Sequence, residues 1–372
     1  MKYARTDQSA VAQWWWTVDR WTLVALAALI GLGALMIMAS SPAVAIRIHA
    51  SSPQYFVHHY LIELPIALAV MFSVSLLSPR DVRRLALAVF CVFVLGLAFT
   101  LVGGVEIKGA RRWIALPFVS LQPSEFVKPC FAVLAAWLFA QHKVTPKFPG
   151  HWIALLLLIL IVALLIKQPD LGMAVVVTAV FFIQFFLAGL NLFWVAAGVV
   201  TGGSGLVGAY MFLPHVTDRV DRFLDPNARN AYQIHRAMDA FMNGGLFGRG
   251  PGEGTMKQYL PDAHADFVFA VAGEELGLIV CLVIVALFAF IVLRGFSRLM
   301  QENNLFVVLA ATGLFVQFGL QAVINMASSL ELMPTKGMTL PFISYGGSSL
   351  VALGLTMGMA LALTRRRFGG ET

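Results

Sequence analysis

Charged side chains are scarce in this sequence. Only 12% of its 372 residues are Asp, Glu, Lys or Arg, whereas 59% are hydrophobic. Soluble domains contain on average about 25% charged and about 45–50% apolar residues. This shortage of charge excludes a soluble globular domain and indicates an integral membrane protein.

Cysteine and the common catalytic signatures are also nearly absent. The three cysteines, Cys91, Cys130 and Cys281, fall within apolar segments and form no CxxC pair. They therefore predict packing roles rather than a disulfide framework or a zinc site. The sequence contains no HExxH motif, no Gly-Lys-Ser/Thr phosphate loop and no Ser, His and Asp arrangement typical of a hydrolase.

Apolar segments long enough to cross a bilayer recur along the whole chain. A span needs about 20 mostly apolar residues, which predicts an all-α integral membrane fold of about ten transmembrane helices. We place them at Trp21–Ser40, Leu61–Leu77, Leu85–Gly103, Glu125–Ala140, Trp152–Ile166, Leu171–Leu187, Leu192–Leu213, Phe267–Leu293, Leu305–Ser329 and Phe342–Leu363. Because no linker or low-complexity tract separates them, residues 1–372 are expected to form a single polytopic membrane domain.

The cations in the short connections predict the orientation. With ten spans, one side of the membrane carries Lys2, Arg5, Arg20, Arg80, Arg83, Arg84, Lys143, Lys147 and Arg365 to Arg367. Positive charge in short loops marks the cytoplasmic side. Residues 1–20 and 364–372 are therefore expected in the cytoplasm, and the long loop 214–266, between spans seven and eight, outside it. The net charge of +7 is explained by this topology, so no nucleic-acid partner is expected.

The long loop is dense in charge of both signs, with Arg219 and Arg222 among its cations. Two interpretations remain open: a solvated face with local ion pairs, or a cradle in which Arg binds a phosphate group. Apolar residues spaced among the charges predict an amphipathic helix near Tyr232–Asn243, lying on the membrane surface. The glycine-rich stretch Gly244–Gly254 that follows is either a reversal with positive φ angles or a source of backbone N–H groups for an anion.

The loop ends at His264 and Asp266, directly before an apolar segment. Asp266 could cap that helix at its N-terminus, or it could act as a general base at the edge of a low-dielectric region. Glu274 and Glu275 follow within the span. Because ionisable groups at that depth are costly, they indicate either a structural ion pair or a polar functional cavity.

Two further outer loops carry polar residues. The first contains the cations Lys108, Arg111 and Arg112 beside Trp113, and it leads to Ser124, Glu125 and Lys128. Ser124 could cap the next helix, with Glu125 in its first turn and Lys128 one turn later as a structural pair. That interpretation does not explain why three cations and a Trp lie together at the membrane surface, so a ligand site stays open. The other loop contributes Lys336, and Gln317, Gln321 and Asn325 form a polar stripe on the span before it. Many cations, several carboxylates and a membrane floor suit a lipid-linked phosphate or pyrophosphate substrate, and they also suit a transporter of an anionic lipid.

An ordered set of motifs covers nearly the whole chain. They are Gly109–Trp113, Gln122–Glu125 with Lys128, Gln168–Gly172, Phe223–Pro226, Tyr232–Gln233, the glycine-rich stretch, His264–Phe267, Glu274–Gly277 and Pro341–Ser349. Together they resemble the SEDS family, the shape, elongation, division and sporulation proteins. Met333–Thr339, which contains Lys336, resembles the division branch of that family. Gln258 and Ala237 depart from its pattern, where Glu and Ser are common.

The resemblance implies a peptidoglycan glycosyltransferase that polymerises lipid II at the division septum, in the bacterial inner membrane and with its active site on the periplasmic face. It implies as partners a monofunctional class B penicillin-binding transpeptidase and other division proteins. Asp266 would be the general base and undecaprenyl pyrophosphate the leaving group. No cofactor is implied with certainty, although a divalent cation, Mg²⁺ or Mn²⁺, is compatible with a pyrophosphate. The alternatives are a lipid II flippase and a non-catalytic scaffold of the division machinery.

The site residues expected on these grounds fall into two groups. The catalytic group is Asp266 and Lys336. The substrate-binding group is Lys108, Arg111, Arg112, Trp113, Glu125, Lys128, Arg219, Arg222, His264, Glu274 and Ser344.

Overall fold

The computed structural model describes residues 9–107, 110–115, 120–189, 192–224, 231–260, 262–334 and 337–366. Its helices are α1 (Ala10–Thr17), α2 (Arg20–Arg47), α3 (Tyr55–Ser75), α4 (Pro79–Gly103), α5 (Pro123–Val144), α6 (Gly150–Lys167), α7 (Leu171–Leu187), α8 (Leu192–Phe212), α9 (Pro214–Leu224), α10 (Ala231–Gly244), α11 (Val268–Leu299), α12 (Leu305–Ser329) and α13 (Ser348–Thr364). A short 3₁₀ helix covers Met256–Gln258.

Ten of these helices match the predicted spans. Seven, α2 to α6, α11 and α12, are long and apolar enough to cross a membrane, and α7, α8 and α13 contain shorter apolar helices. The predicted membrane fold of about ten helices is therefore confirmed. Spans five and six, which only four residues separate, are distinct helices because Gln168, Pro169 and Asp170 form a turn between them.

Helix α5 lies at the centre of the bundle. Almost every residue from Pro123 to Ala140 is buried, and the helix contacts α4, α6, α7, α12 and α13. A helix buried on every side is mostly apolar, and the buried polar residues of α5, among them Glu125 and Lys128, therefore need partners inside the protein. Helix α13 is also buried along its length and packs mainly against α3. These two helices form the core on which the other spans pack.

Glycines allow two close helix contacts. A Cβ atom added to Gly33 of α2 would lie 2.1 Å from the carbonyl oxygen of Phe342, and one added to Gly354 of α13 would lie 2.4 Å from that of Ala67. Small residues permit such close approach between transmembrane helices, where packing rather than hydrophobic exclusion drives association. Helix α2 is thus pressed against the buried segment that precedes α13.

Three features differ from the sequence prediction. The first outer loop contains a small antiparallel sheet of β1 (Val105–Ile107), β2 (Ala110–Ala115) and β3 (Ser120–Leu121), in that order. Helix α9 occupies the start of the long loop. The last span begins at Ser348 rather than at Phe342. Phe342 has a positive φ of 62°, and Pro341, Gly346 and Gly347 all disfavour a continuous helix there.

Helix α10 confirms the predicted amphipathic helix of the long loop. Its apolar residues Ala237 and Ala240 are buried, and Phe241 makes an edge contact with Phe269 of α11. Its apolar face therefore packs against α11. Whether it also touches the membrane surface stays a prediction, as does the orientation of the chain.

A cluster of opposite charges joins the start of α2 to the end of α11, at the side of the bundle away from the long loop. Asp19 accepts hydrogen bonds from Arg294 at 2.9 Å and from Arg298 at 2.7 Å. Burial by itself would raise the pKa of Asp19, but the hydrogen bonds that this carboxylate accepts hold its pKa below the usual value. Beside it, the indole of Trp14 in α1 donates to Ser75 at 2.8 Å.

We predict that Gly33→Ala destabilises the protein, whereas Gly31→Ala does not. A methyl group at Gly33 meets the Phe342 carbonyl, while one at Gly31, in the same helix, meets no atom within 4 Å. Overpacking of this kind costs about 1–3 kcal/mol. The midpoint of thermal unfolding in detergent should fall for Gly33→Ala alone, and equal midpoints for both variants would contradict the close contact.

Candidate functional site

The loop that carries Asp266 is held by hydrogen bonds to three consecutive carbonyl groups. The backbone N–H of Tyr345 donates to His264 at 2.9 Å, the hydroxyl of Ser344 donates to Ala265 at 2.6 Å, and the amide of Asn325 donates to Asp266 at 3.1 Å. The same Asn325 amide donates to the Met338 carbonyl at 2.7 Å. Helix α12 and the segment before α13 therefore fix the backbone of Asp266 from two sides.

Asp266 is not the N-cap of the following helix, so that interpretation is wrong. Helix α11 begins at Val268 and its N-cap is Phe267, without a side-chain cap. The Asp266 side chain is half-buried and faces the connection between α12 and α13. A Cβ atom added to Gly337 would lie 3.7 Å from Asp266 Oδ2. Lys336, the neighbour of Gly337 in sequence, lies outside the described residues.

His264 and Ser344 are both buried beside Asp266. The His264 ring packs 4.1 Å from that of Phe56 and 5.6 Å from that of Tyr345. The Ser344 hydroxyl also accepts a hydrogen bond from the Leu340 N–H at 2.8 Å, so both its hydrogen-bonding functions are used within the protein. In this structure Ser344 therefore positions the loop.

Glu125 and Lys128 form a buried ion pair at 2.9 Å, as expected from their spacing. Lys128 also donates to Gln321 Oε1 at 3.0 Å, and Gln321 donates to the Thr339 carbonyl at 3.1 Å. Thr339 is in turn 3.0 Å from the hydroxyl of Ser349. This chain of contacts joins α5, α12 and the start of α13, and it anchors the end of the segment that carries Lys336.

The expected cap at Ser124 is a second correction. Helix α5 begins at Pro123, so Gln122 occupies the N-cap position. Proline is favoured at the first position of a helix because its missing N–H is not needed there. Ser124 lies inside the first turn, where its hydroxyl accepts from the Gln122 side chain at 3.1 Å. The Gln122 N–H donates to Ser348 at 3.0 Å and so joins the starts of α5 and α13.

The side chains of Arg111, Arg112 and Trp113 on strand β2 differ in their exposure. Arg111 is exposed and forms an ion pair with Glu106 at 3.2 Å. Arg112 is turned inward, where it donates to the carbonyls of Gln168 and Pro169, and it lies 3.7 Å from Asp170. Trp113 is half-buried. Arg111 remains available to a ligand from outside, whereas Arg112 joins the sheet to the turn between α6 and α7.

Glu274 and Glu275 bind the glycine-rich stretch of their own chain. Glu274 accepts the N–H groups of Thr255 at 2.9 Å and Met256 at 3.0 Å. Glu275 accepts the N–H of Gly252 at 2.8 Å and pairs with Lys257 at 2.7 Å. The structural interpretation of these two carboxylates is therefore correct for the described contacts. Backbone N–H groups in and directly after the glycine-rich stretch, which were considered as phosphate donors, therefore bind these carboxylates instead.

A break in α11 makes this arrangement possible. Gly277 has φ 81° and ψ 176°, which interrupts the helix, and the carbonyls freed at Glu274 and Glu275 accept the N–H groups of Arg249 and Gly250 at 3.0 and 2.9 Å. Gly248 also has a positive φ, and a Cβ atom there would lie 2.3 Å from the Glu275 carbonyl oxygen. The positive φ values expected for the glycine-rich stretch are therefore present.

Lys108, Arg219 and Arg222 were also predicted to bind the substrate. Lys108 lies outside the described residues. Arg219 and Arg222 lie on α9, for which the structure gives the backbone at these positions and not the side chains. Their assignment as substrate-binding residues stays a prediction.

Two polar residues near the site were missed. Arg47, at the end of α2, donates to the Leu260 carbonyl at 2.8 Å and supports the loop before Asp266. Glu63 of α3 is buried, and a Cβ atom at Gly347 would lie 3.6 Å from its Oε1. The position of Glu63 inside an apolar segment was a usable signal, because carboxylates there are rarely exposed to lipid. Arg47 offered no signal beyond a cation at the end of an apolar run.

A site for Mg²⁺ or Mn²⁺ stays a prediction. Within the described ranges, no group of three or more His, Cys, Asp or Glu side chains converges. Glu274 and Glu275 already accept protein N–H groups. No chemical step below depends on a metal bound by the protein.

In chemical terms, the site consists of one half-buried carboxylate on a rigid backbone, with cation-bearing segments on either side. A carboxylate in such a position can accept a proton from a hydroxyl group. Cations at the rim can stabilise negative charge that develops on a leaving phosphate.

Comparison with known proteins gives a consistent result. The model of a family described as "Cell cycle protein", that of FtsW, RodA and SpoVE, matches residues 20–368. "Probable peptidoglycan glycosyltransferase FtsW" of Caulobacter vibrioides is 46% identical over 368 residues, which cover 99% of this chain and 94% of that protein. The protein of the same name from Coxiella burnetii is 36% identical and covers 94% of this chain and 96% of its own length.

Solved structures share the fold. The rod shape determining protein RodA of Thermus thermophilus has a TM-score of 0.70 and 27% identity, over 94% of this chain and 97% of that one. A chain from the work described as "Structural coordination of polymerization and crosslinking by a peptidoglycan synthase complex" has a TM-score of 0.77 and 27% identity, over 93% and 97% of the two chains.

We predict that Lys128→Met destabilises the protein by about 3–5 kcal/mol, because it leaves the Glu125 carboxylate buried without its partner. The double variant Glu125→Leu with Lys128→Met should recover much of that loss. Arg84→Gln is the matched control, because Arg84 is 75% exposed and pairs with Asp81 at 3.5 Å, and exposed pairs contribute about 0–1 kcal/mol. The free energy of unfolding in mixed micelles is measured for all three variants. An equal loss of stability in Lys128→Met and in the double variant would rule out the pair.

Proposed function

This chain belongs to the cell cycle protein family of FtsW, RodA and SpoVE, and from that premise we propose that it polymerises lipid II as a peptidoglycan glycosyltransferase, with Asp266 as the general base. Family membership and the glycosyltransferase activity of its named relatives support the reaction class. The substrate and the role of each residue are our proposal.

The single observation that supports Asp266 most strongly is the fixation of its backbone. Three consecutive carbonyls, from His264 to Asp266, accept hydrogen bonds from other elements, and the carboxylate itself is half-buried. A general base must stay within hydrogen-bond reach of the proton that it removes. A fixed backbone that carries a partly exposed carboxylate meets this requirement, because the carboxylate loses little conformational freedom when the transition state forms.

The proposed step is one displacement at a sugar carbon. Asp266 takes the proton of the C4 hydroxyl of the acceptor, and the oxygen attacks the anomeric carbon of the donor. The bond from that carbon to undecaprenyl pyrophosphate breaks, and its electron pair leaves with the pyrophosphate. A single displacement inverts the configuration at the anomeric carbon. The proton stays on the Asp266 carboxyl until solvent removes it.

Cations would offset the charge that builds on the pyrophosphate. Arg111 is the candidate among the described residues, because it is exposed on β2 and its described ion pair, with Glu106, is at the surface. Arg219, Arg222 and Lys336 are proposed for the same task on sequence grounds. Arg112, Lys128, Glu125, Glu274 and Ser344 act instead through other residues, because each is engaged within the protein. Trp113 and His264 would line the sugar-binding region.

The proposal includes a location and a partner. We place the protein in the bacterial inner membrane at the division septum, with Asp266 on the periplasmic side. A monofunctional class B penicillin-binding transpeptidase would crosslink the glycan that this chain produces. The similarity to a chain from a peptidoglycan synthase complex supports assembly with such a partner.

The flippase alternative needs a continuous polar path across the bundle. The candidates for that path were Gln317, Gln321, Asn325, Glu274 and Glu275. Four of them bind fixed partners within the protein, including Thr339 for Gln321 and Met338 for Asn325. No described contact favours transport, so we retain the enzyme as the single proposal.

We expect Asp266→Asn to lower the rate of glycan polymerisation by about 10²–10⁴-fold, because general-base catalysis contributes about that much. The purified chain is combined with its transpeptidase partner and lipid II in detergent, and the glycan product is measured. Detergent removes any need for transport. Asp262→Asn is the matched control, since it lies four residues earlier in the same loop and Asn tolerates its positive φ of 54°.

Loss of product in Asp266→Asn, with activity kept in Asp262→Asn, supports the proposed base. Equal product from the wild type and Asp266→Asn would rule Asp266 out as the base. No product from a folded, intact wild-type complex would contradict the glycosyltransferase itself.

The orientation is tested with cysteine labelling in a Cys91→Ser background, because Cys91 is exposed while Cys130 and Cys281 are buried. Asn227→Cys, in the long loop, should react with an impermeant maleimide in cells whose outer membrane has been opened. Asn303→Cys, exposed in the connection between α11 and α12, should react only after the inner membrane is permeabilised. The reverse pattern would place the long loop in the cytoplasm.

A further inference from the structure

A basic cavity lies at the end of the bundle opposite Asp266. Its volume is about 280 Å³, and it is bounded by the start of α4, the end of α5 and the start of α12. Helix α12 begins here and reaches the Asp266 loop only near its other end, through Asn325. The cavity is therefore separate from the site proposed above and does not depend on the function proposed for it.

Three cations line this cavity: Arg80, Arg83 and Lys143. The Arg83 guanidinium lies over the ring of Trp137 at 5.2 Å from its centroid. Within the described part of the chain, neither Arg83 nor Lys143 has a carboxylate within 4 Å. Cations concentrated in a partly enclosed space create a positive potential that attracts an anion.

Two carboxylates lie on the adjoining segments, and both have other described partners. Asp81 accepts a hydrogen bond from Ser78 at 2.6 Å and pairs with Arg84. Glu302 accepts the Asn304 N–H at 3.0 Å. Neither carboxylate lines the cavity.

Other donors border the same space. Helices α4 and α12 both start at the cavity, with Pro79, Leu305 and Phe306 in its wall. Caps already take the N–H groups of Asp81 and Val307, through the side chains of Ser78 and Asn304. The N–H groups of Leu305 and Phe306 have no carbonyl partner inside their helix and favour an anion. The indole Nε1 of Trp137 is buried and has no hydrogen-bond partner among the described residues. A buried polar group without a partner is costly, which indicates a ligand at this point.

We propose that this cavity binds the phosphate of an anionic phospholipid headgroup. The wall combines cations with the apolar side chains of Trp137, Val144 and Phe306, a combination that suits an amphiphile better than a free inorganic anion. Three apolar helices end at the same level, which is where a lipid phosphate lies when helices cross a bilayer. Basic pockets between transmembrane helices bind anionic headgroups by the same physical means.

The test uses the purified full-length chain, stripped of lipid in a neutral detergent. Native mass spectrometry measures saturable binding of phosphatidylglycerol, with phosphatidylcholine and inorganic phosphate as separate arms. Two variants are tested: the double variant Arg83→Gln with Lys143→Gln, and the single variant Lys143→Gln. Lys143 is exposed, and its substitution alone leaves the Arg83 contact with Trp137 in place. Arg84→Gln is the matched control, because Arg84 is on the same helix but does not line the cavity.

We expect the double variant to weaken phosphatidylglycerol binding by about tenfold or more, since contacts to a charged group contribute about 1.5–3 kcal/mol each. Lys143→Gln should show a smaller loss and Arg84→Gln none. Equal binding by all four proteins would overturn the site. Inorganic phosphate that displaces the lipid at similar concentrations would overturn the lipid as ligand in favour of a free anion, and equal binding of phosphatidylcholine would overturn recognition of the anionic headgroup.

Discussion

The backbone carbonyls of His264, Ala265 and Asp266 need hydrogen-bond donors, because they belong to a partly buried loop folded against an apolar helical bundle. The donors come from Asn325 and from the segment at Ser344 and Tyr345. Helix α12 and the start of α13 therefore cannot move independently of the Asp266 loop. Residues that are about 60–80 positions apart in the sequence form one structural unit through this requirement.

A second structural unit, which contains a buried ion pair, supports the first. Glu125 and Lys128 are paired inside the bundle, and Lys128 reaches Gln321, which holds Thr339. A buried cation must be paired and hydrogen-bonded, since its desolvation is costly. Polar residues that resemble substrate ligands in the sequence are thus used to hold the walls of the site. Among the described residues, Asp266 and Arg111 are the foremost ones proposed to contact a ligand directly.

The spans could be predicted because long apolar runs have few alternative structures. Asp266 could be proposed because a lone carboxylate ended a polar loop in a recognisable motif. The partners of Arg112 and Glu274 could not be predicted. Arg112 binds carbonyls 56 and 57 residues away, and Glu274 binds amides that no side-chain pattern reveals. The start of α13 was misplaced because Phe342 is apolar and buried without being helical.

The break at Gly277 also affects how the chain can enter a membrane during synthesis. A segment with two adjacent glutamates near its start inserts poorly by itself, since each ionised side chain costs several kcal/mol in a translocon. The groups that compensate Glu274 and Glu275 are Lys257 and the amides of Gly252, Thr255 and Met256. All of them leave the ribosome first. The partners of both carboxylates are therefore already synthesised when Glu274 and Glu275 emerge.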